Sequence, residues 1–264
     1  MFTMRNNYDR HTEEVQLKVS SITVSPALLA PDLLCNFSLK LGPRDILGIL
    51  GSNGVGKTTL LHCLSGSLVP KAGDVRLGNL SVYDQSMACK KQIGFLPDTV
   101  PLIPYFTVQE NLKWMARFRG LTNQQTKEAI ETACHTFGLT SWLSILAKHL
   151  SLGQRKLVGI AGAVIHHPKL IVLDEPLNDL DTQVREHVLT VLQTLSRDAI
   201  VIFTSHYYRD LATISNKILL LEKGQCNWIL DKSQASSEEA TQPKSKNKTS
   251  ARSKKKKSLT ETLS

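Results

Sequence analysis

Apolar and polar residues alternate from Val15 to Val24 (Val15, Leu17, Val19, then Ile22 and Val24), a period of two that predicts a half-buried strand. Pro26 to Asp32 punctuates it, and 34–41 predicts a second strand closed by the Gly42-Pro43 turn. The pattern then changes. Ile46–Leu50, Gln92–Leu96, Leu170–Leu173, Ala199–Thr204 and Lys217–Glu222 are short runs dominated by apolar residues, and Ile46–Leu50 in particular reads as a buried strand of a parallel sheet. Gly73–Gly78 predicts a shorter strand between turns, and Gln225–Leu230 an edge strand pairing back across Gly224. Helical spacing falls between these runs: Thr59–Leu64, with Gly66 as its stop, then nearly everything from Thr107 to Leu150. In that stretch Thr107-Val-Gln-Glu110 is a capping box, Asn123–Phe137 a second helix and Thr140–Leu146 a third. Ser151–Val164 and Asp181–Ser196 are also expected to be helical.

The junction between the Ile46–Leu50 strand and the helix after it carries the first chemistry. Gly51-Ser52-Asn53-Gly54-Val55-Gly56-Lys57-Thr58-Thr59 has the spacing G-x-x-x-x-G-K-[ST], between a strand and a helix. Glycines here let successive backbone N–H groups turn inward around phosphate, and the helix start adds its positive dipole end. Lys57 offers a point charge to β- and γ-phosphates, and Thr58 a hydroxyl to Mg²⁺. The chain is therefore expected to bind a nucleoside triphosphate. Leu170-Ile-Val-Leu ends in two carboxylates, Asp174 and Glu175, at the strand end where open α/β sheets bind ligands. The first suits Mg²⁺, and the second suits accepting a proton from water.

Composition changes the picture in two places. The net charge of +9 invites a nucleic-acid reading, but 232–264 holds nine basic against three acidic residues, so the excess sits in a tail of disorder-prone composition. Its lysine run, Lys254–Lys257, has no aromatic residue interleaved, which argues against stacking on single strands; no nucleic acid is expected. The run reads as a solvated face, with an anionic membrane surface as the alternative contact. Five cysteines without a C-x-x-C pair point to neither a zinc site nor a disulfide framework. The first residues carry no apolar signal segment, and no apolar run approaches the ~20 residues that span a bilayer, so a soluble, cytoplasmic chain is expected. His166-His167, in a turn before Pro168, reads as solvated loop more than as a metal pair.

Leu150-Ser151-Leu152-Gly153-Gln154 opens a helix about twenty residues before the acidic strand, a second anion site that a single triphosphate does not need. Here the sequence resembles the nucleotide-binding domain of ATP-binding cassette (ABC) proteins, whose signature is L-S-G-G-Q. Gly51–Thr58 is similar to the family's Walker A motif, Leu170–Asp174 to Walker B, Leu180-Asp181 to the D-loop and His206 to the switch histidine. The resemblance runs from about Val15 to Leu230. It implies an α/β fold: a P-loop NTPase core with a mostly parallel sheet, an antiparallel β subdomain at the N-terminal side and an inserted all-helical subdomain at about 107–165. It divides the chain into a loose 1–14, a nucleotide-binding domain over 15–231 and a tail over 232–264.

The same resemblance implies an ATPase using ATP and Mg²⁺, with Glu175 as general base and Lys57 and His206 beside it. Gly51–Thr59 together with Ser151, Gly153, Gln154 and Asp181 would bind nucleotide, the signature residues acting across a homodimer or paired cassette that closes over two ATP. Thr58, Asp98 and Asp174 would hold the metal. The implied role is the ATP-hydrolysing subunit of an exporter, similar to the multidrug/ABC-2 and haem-exporter groups. It would sit on the inner face of the cell membrane against a separate transmembrane permease, with a non-transport ABC ATPase of iron–sulfur assembly or the ribosome as the alternative. The helical segment and the apolar turn Thr99–Phe106 would meet that permease. Three positions depart from the family. Asp98 stands where a glutamine is usual, Leu152 replaces the middle glycine of the signature, and no aromatic lies near Ser25-Pro26 to stack on adenine, so that base contact is weakened or supplied elsewhere.

Overall fold

The structure is a computed structural model that describes residues 15–25, 32–84, 86–222 and 224–232. The expectations for 1–14 and for the tail beyond Lys232 lie outside the described residues. In chain order the elements are β1 (Leu17–Val24), β2 (Leu34–Leu41), β3 (Ile46–Leu50), α1 (Lys57–Leu64), β4 (Ala72–Leu77), β5 (Leu80–Ser81), α2 (Met87–Lys90) and β6 (Ile93–Leu96). There follow α3 (Val108–Phe118), α4 (Asn123–Phe137), two 3-10 turns (Thr140–Trp142, Ala147–His149), α5 (Leu152–Val164) and β7 (Leu170–Leu173). Then come α6 (Thr182–Leu195), β8 (Ile200–Ser205), α7 (Tyr208–Ile214), β9 (Lys217–Glu222) and β10 (Gln225–Asp231).

These strands form two sheets. One is four-stranded and antiparallel in the order β2-β1-β4-β5; the other is six-stranded in the order β10-β9-β3-β8-β7-β6. The six-stranded sheet is parallel except for β10, which pairs antiparallel to β9 along its edge as the turn at Gly224 predicts.

The apolar runs follow from burial on both faces. Successive side chains of a strand point to opposite sides, and here the two sides meet different cores. Ile171, Leu173, Val201, Phe203 and Ile218 join one core with α3 to α6 and Leu211 of α7. Leu170, Val172, Ile200, Ile202, Leu47 and Ile49 join the other, with α1 and the inner face of the antiparallel sheet. A strand with a core on each side has no polar-facing positions, so alternation disappears. The antiparallel strands β1 and β2 have one core only and keep it: their burial alternates along the chain.

One predicted helix is corrected. Thr140–Leu146 is not an α-helix; a 3-10 turn ends at Trp142 and Leu146 is extended. The reason is competition for carbonyls. The first N–H groups of a helix lack intrahelical partners, and those of α3 take this segment: Val108 N–H donates to Ile145 O and Gln109 N–H to Leu143 O. Phe106 O accepts from Ala147 N–H, and Thr107 bridges Leu146 in antiparallel fashion. α2, α7 and the two-residue β5 were not expected from the pattern.

At the base of the six-stranded sheet a buried ion pair ties the turn before β3 to β9. Lys217 Nζ lies 2.9 Å from each carboxylate oxygen of Asp45, and Asn216 adds a bond from its side-chain NH₂ to Asp45 Oδ1. Removing one partner of such a pair strands the other charge in a poorly solvated site. Lys217→Ala is expected to lower the free energy of unfolding by about 3 kcal/mol, read from urea denaturation.

Candidate functional site

The parallel strands deliver their functional residues to one end of the sheet. β3 runs into the glycine-rich loop, where Gly54 and Gly56 take φ of 78° and 108°, values that an L side chain rarely adopts. Gly56 caps α1, and Lys57 begins it. Beside the loop, β7 ends in Asp174 and Glu175, and β8 ends in Thr204 and Ser205 with His206 next. Together Asn53, Gly54, Gly56, Lys57, Thr58, Thr59, Asp98, Asp174, Glu175, Asn178, His206 and Leu33 line a cleft of about 460 Å³. Gly51, Ser52 and Val55 form the turn behind it: the carbonyls of Gly51 and Ser52 accept from Lys57 Nζ at 2.8 and 3.2 Å.

The acidic pair is held unequally. Asp174 is fully bonded: Oδ2 accepts from the Thr58 hydroxyl at 2.6 Å and Oδ1 from the Thr204 hydroxyl at 2.7 Å. Glu175 is not. Its backbone N–H donates to Thr204 Oγ1 at 2.7 Å, and its Oε2 lies 3.3 Å from His206 Nδ1. Its buried Oε1 has the Lys57 charge 3.3 Å away but no hydrogen bond. Oε1 is thus a buried carboxylate oxygen with an unfilled acceptor site. Glu175 also sits at φ 44°, in the left-handed region, a conformation that costs a non-glycine residue roughly 1–2 kcal/mol and recurs at functional sites.

Asp98 is in this cleft too, but its carboxylate is engaged. Lys156 of α5, which is almost wholly buried, places Nζ 2.8 Å from the Asp98 carbonyl and 3.4 Å from its Oδ1. The phosphate cleft is thereby linked to the helix that begins at the signature. Ser151, Gly153 and Gln154 do not line the cleft. They form the start of α5, where the Ser151 hydroxyl accepts from Gln154 N–H at 3.2 Å and the Gln154 side chain accepts from Ser151 N–H at 2.9 Å. Gly153 has a packing reason as well: a Cβ there would sit 2.7 Å from the Asp179 carbonyl. Leu152 projects from this turn largely exposed. Asp181 caps α6, accepting from Val184 N–H at 3.0 Å.

Thr204, Asn178, Lys156 and Leu33 join the site without a motif to mark them. Thr204 and Lys156 act across 30 and 58 residues of chain, and no local pattern announces such a contact. Tyr207 is a fifth: its ring packs at a tilt against His206 with centroids 3.9 Å apart, and the Arg185 guanidinium lies 5.9 Å from the Tyr207 ring.

Of the paired histidines, His166 packs into the interior, its Nε2 donating to the Ile93 carbonyl at 3.2 Å. Burial, reinforced by the Arg119 charge, pushes its pKa down to about 4. A histidine held neutral in the fold and titrating near 6.5 when unfolded contributes stability that is complete above pH 6.5 and is lost as pH falls toward 4. His166→Gln is expected to flatten the stability–pH curve in that window, measured by thermal unfolding from pH 7.5 to 4.5.

A second surface lies away from the cleft. Trp114 and Phe118 of α3 stack with centroids 5.5 Å apart and remain about half exposed. With Phe95, Pro97, Pro101 and Met115 they line a groove of about 490 Å³ between β6, α3 and α5. Tyr105 and Phe106 are also exposed in the preceding turn.

A glycine-rich loop between strand and helix, an acidic strand end beside it, an antiparallel sheet and a helical insertion define a P-loop cassette of the ABC type. The chain belongs to the ABC transporter family, whose sequence model matches residues 34–178. It is 30% identical over 191 residues to the linearmycin resistance ATP-binding protein LnrL of Bacillus subtilis (strain 168), covering 72% of this chain and 61% of that protein. It is 30% identical over 190 residues to the ABC transporter ATP-binding protein NatA of the same organism, covering 71% of this chain and 77% of that one. Among solved structures, the ATP-binding subunit of an ABC transporter superposes with a TM-score of 0.73 at 21% identity, over 81% of this chain and 90% of that one. A dimeric, post-hydrolysis ATP-binding cassette bound to ADP and Pi gives 0.72 at 22%, over 81% and 98%. These two likenesses are of fold. The chain spans 61–64% of the length of several curated relatives it matches.

Proposed function

We propose that this chain binds and hydrolyses ATP as the cassette subunit of an ABC transporter, and that two cassettes close over two ATP molecules to drive a separate membrane permease. The observation that carries the reading is the convergence of Lys57, Thr58, Asp174, Glu175 and His206 on one cleft under the glycine-rich loop. ATP entering the cleft gives Lys57 a better partner than the loop carbonyls and Glu175 it now contacts, freeing the glutamate. Glu175 then takes a proton from a water that attacks the γ-phosphorus; the bond to the bridging oxygen breaks, leaving ADP and phosphate. His206, 3.3 Å from Glu175, steadies the water and the γ-phosphate. Ser151, Gly153 and Gln154 of a second copy supply the donors on the far side, their helix start turned outward. The glutamate's placement at a strained backbone position fixes its aim.

The oxygen donors present fit Mg²⁺, a hard cation that keeps several waters and uses one or two protein oxygens with substrate phosphates. Thr58 and Asp174 would hold it, with Asp98 at the rim of the same cleft. Bound there, Mg²⁺ supplies charge neutralisation on the phosphate oxygens.

Export is favoured because the similar proteins include the linearmycin resistance ATP-binding protein and a Nod factor export ATP-binding protein I of Rhizobium etli, 30% identical over 189 residues. The permease is expected on the Trp114–Phe118 groove and the neighbouring Tyr105–Phe106 turn, apolar surface that water would leave uncovered at a cost. The helical segment at about 107–165 acts as the docking subdomain. The chain works from the inner face of the cell membrane, and its lysine tail is accessory. Tagged full-length chain, purified from gently solubilised membranes, tests this. A polytopic membrane protein in stoichiometric amount is the expected companion; a soluble scaffold or ribosomes instead overturns the transport role.

A further inference from the structure

The phosphate cleft has polar partners for a triphosphate and, among the described residues that line it, one apolar side chain: Leu33. Its position is fixed by backbone contacts. Leu33 N–H donates to the Val24 carbonyl at 2.8 Å, and its own carbonyl lies 3.2 Å from where a Cβ on Gly224 would be. Its side chain leans over the loop, with Cδ1, Cβ and Cγ 3.0, 3.4 and 3.6 Å from the point where Gly56 would carry a Cβ. It therefore rims the cleft against the loop, whereas Glu175, Asp174 and His206 gather where hydrolysis is proposed. A triphosphate whose terminal phosphate meets those acids and whose chain follows the loop has a nucleoside still to place, and Leu33 is the apolar surface at hand.

We infer that Leu33 is the base-contacting residue of this cassette, and that its aliphatic face makes the site permissive among purine triphosphates. The inference rests on the nucleotide-binding reading above and adds its specificity. An aromatic ring would stack on the base; an aliphatic side chain offers only apolar contact, which does not distinguish the exocyclic groups of adenine and guanine. Two of the polar side chains that line the cleft are committed elsewhere, Thr58 to Asp174 and Lys57 to the loop carbonyls and Glu175.

Isothermal titration of the full chain with ATP, GTP and inorganic tripolyphosphate, each with Mg²⁺, tests it. ATP and GTP are expected to bind within about 3-fold of each other, since apolar contact discriminates weakly. Leu33→Ala should weaken both nucleotides by about 10-fold, the loss of a partly buried leucine contact, and leave tripolyphosphate within twofold. Leu33→Tyr should tighten both by about 10-fold, the size of one base-stacking contact, which guards against a mere folding defect in the alanine variant. A preference between ATP and GTP beyond about 30-fold, or an equal loss of tripolyphosphate in Leu33→Ala, overturns the inference while leaving the phosphate site standing. Failure of the unaltered chain to bind any of the three overturns the nucleotide reading itself, and this inference with it.

Discussion

Glu175→Gln is expected to lower the turnover of ATP by about 10³-fold while changing ATP affinity by less than about 3-fold. The amide has the shape of the carboxylate and can accept from the same neighbours, but it cannot take up a proton at pH 7. Binding is spared because Glu175 contributes nothing attractive to a triphosphate; it is the anion that Lys57 must leave. The backbone at φ 44° is equally accessible to glutamine, so the variant is expected to fold as the native chain does. Phosphate release under saturating ATP, set beside equilibrium binding of a fluorescent ATP analogue, separates the two effects. A turnover within 10-fold of native would move the general base elsewhere in the cleft.

Lys57→Ala is expected to act on the other parameter, weakening ATP by about 100-fold, the upper range for a charge-assisted hydrogen bond to phosphate. The fold is affected as well. Lys57 is buried, and its ammonium is the countercharge that Glu175 Oε1 faces in the nucleotide-free chain. Without it a buried carboxylate lies next to Asp174 with only His206 for company, so a lowered melting temperature accompanies the lost affinity. Calorimetric titration and thermal unfolding of the same preparation measure both. Unchanged ATP affinity would show that the phosphates bind away from the glycine-rich loop.

The contrast between what the pattern foretold and what it missed follows sequence distance. The phosphate loop was legible because its requirements are local: glycines that reach φ of 78° and 108°, a strand before and a helix after. Asp174 and Glu175 were legible because a strand with cores on both faces has nowhere else to put charge than its end. Thr204 was not, although it organises both acids, because a threonine closing an apolar strand looks like an ordinary strand residue. The failure at Thr140–Leu146 has the same origin. Its helical spacing is real, but the donors that break it belong to the start of α3, more than thirty residues earlier. Ser151 and Gln154 show the opposite case, in which one short pattern carries two meanings. They are a capping box within this chain and the expected face for a second copy's nucleotide, and the two uses are compatible because the Ser151 oxygen only accepts within the box.

Asp98 marks where the chain's chemistry parts from the family pattern. A glutamine there could not pair with Lys156 as an anion, whereas the aspartate joins the rim of the cleft to α5 by charge as well as by its carbonyl.

ATP is expected to bring two of these cassettes together face to face. Sedimentation velocity of the Glu175→Gln chain, with and without Mg²⁺ and ATP, tests it most directly, since trapped substrate cannot part the pair by being hydrolysed. The expected result is a monomer without nucleotide and a dimer with it, the dimer being lost again when Ser151→Arg is added at the start of α5. A sedimentation coefficient that stays monomeric at saturating ATP would contradict the account.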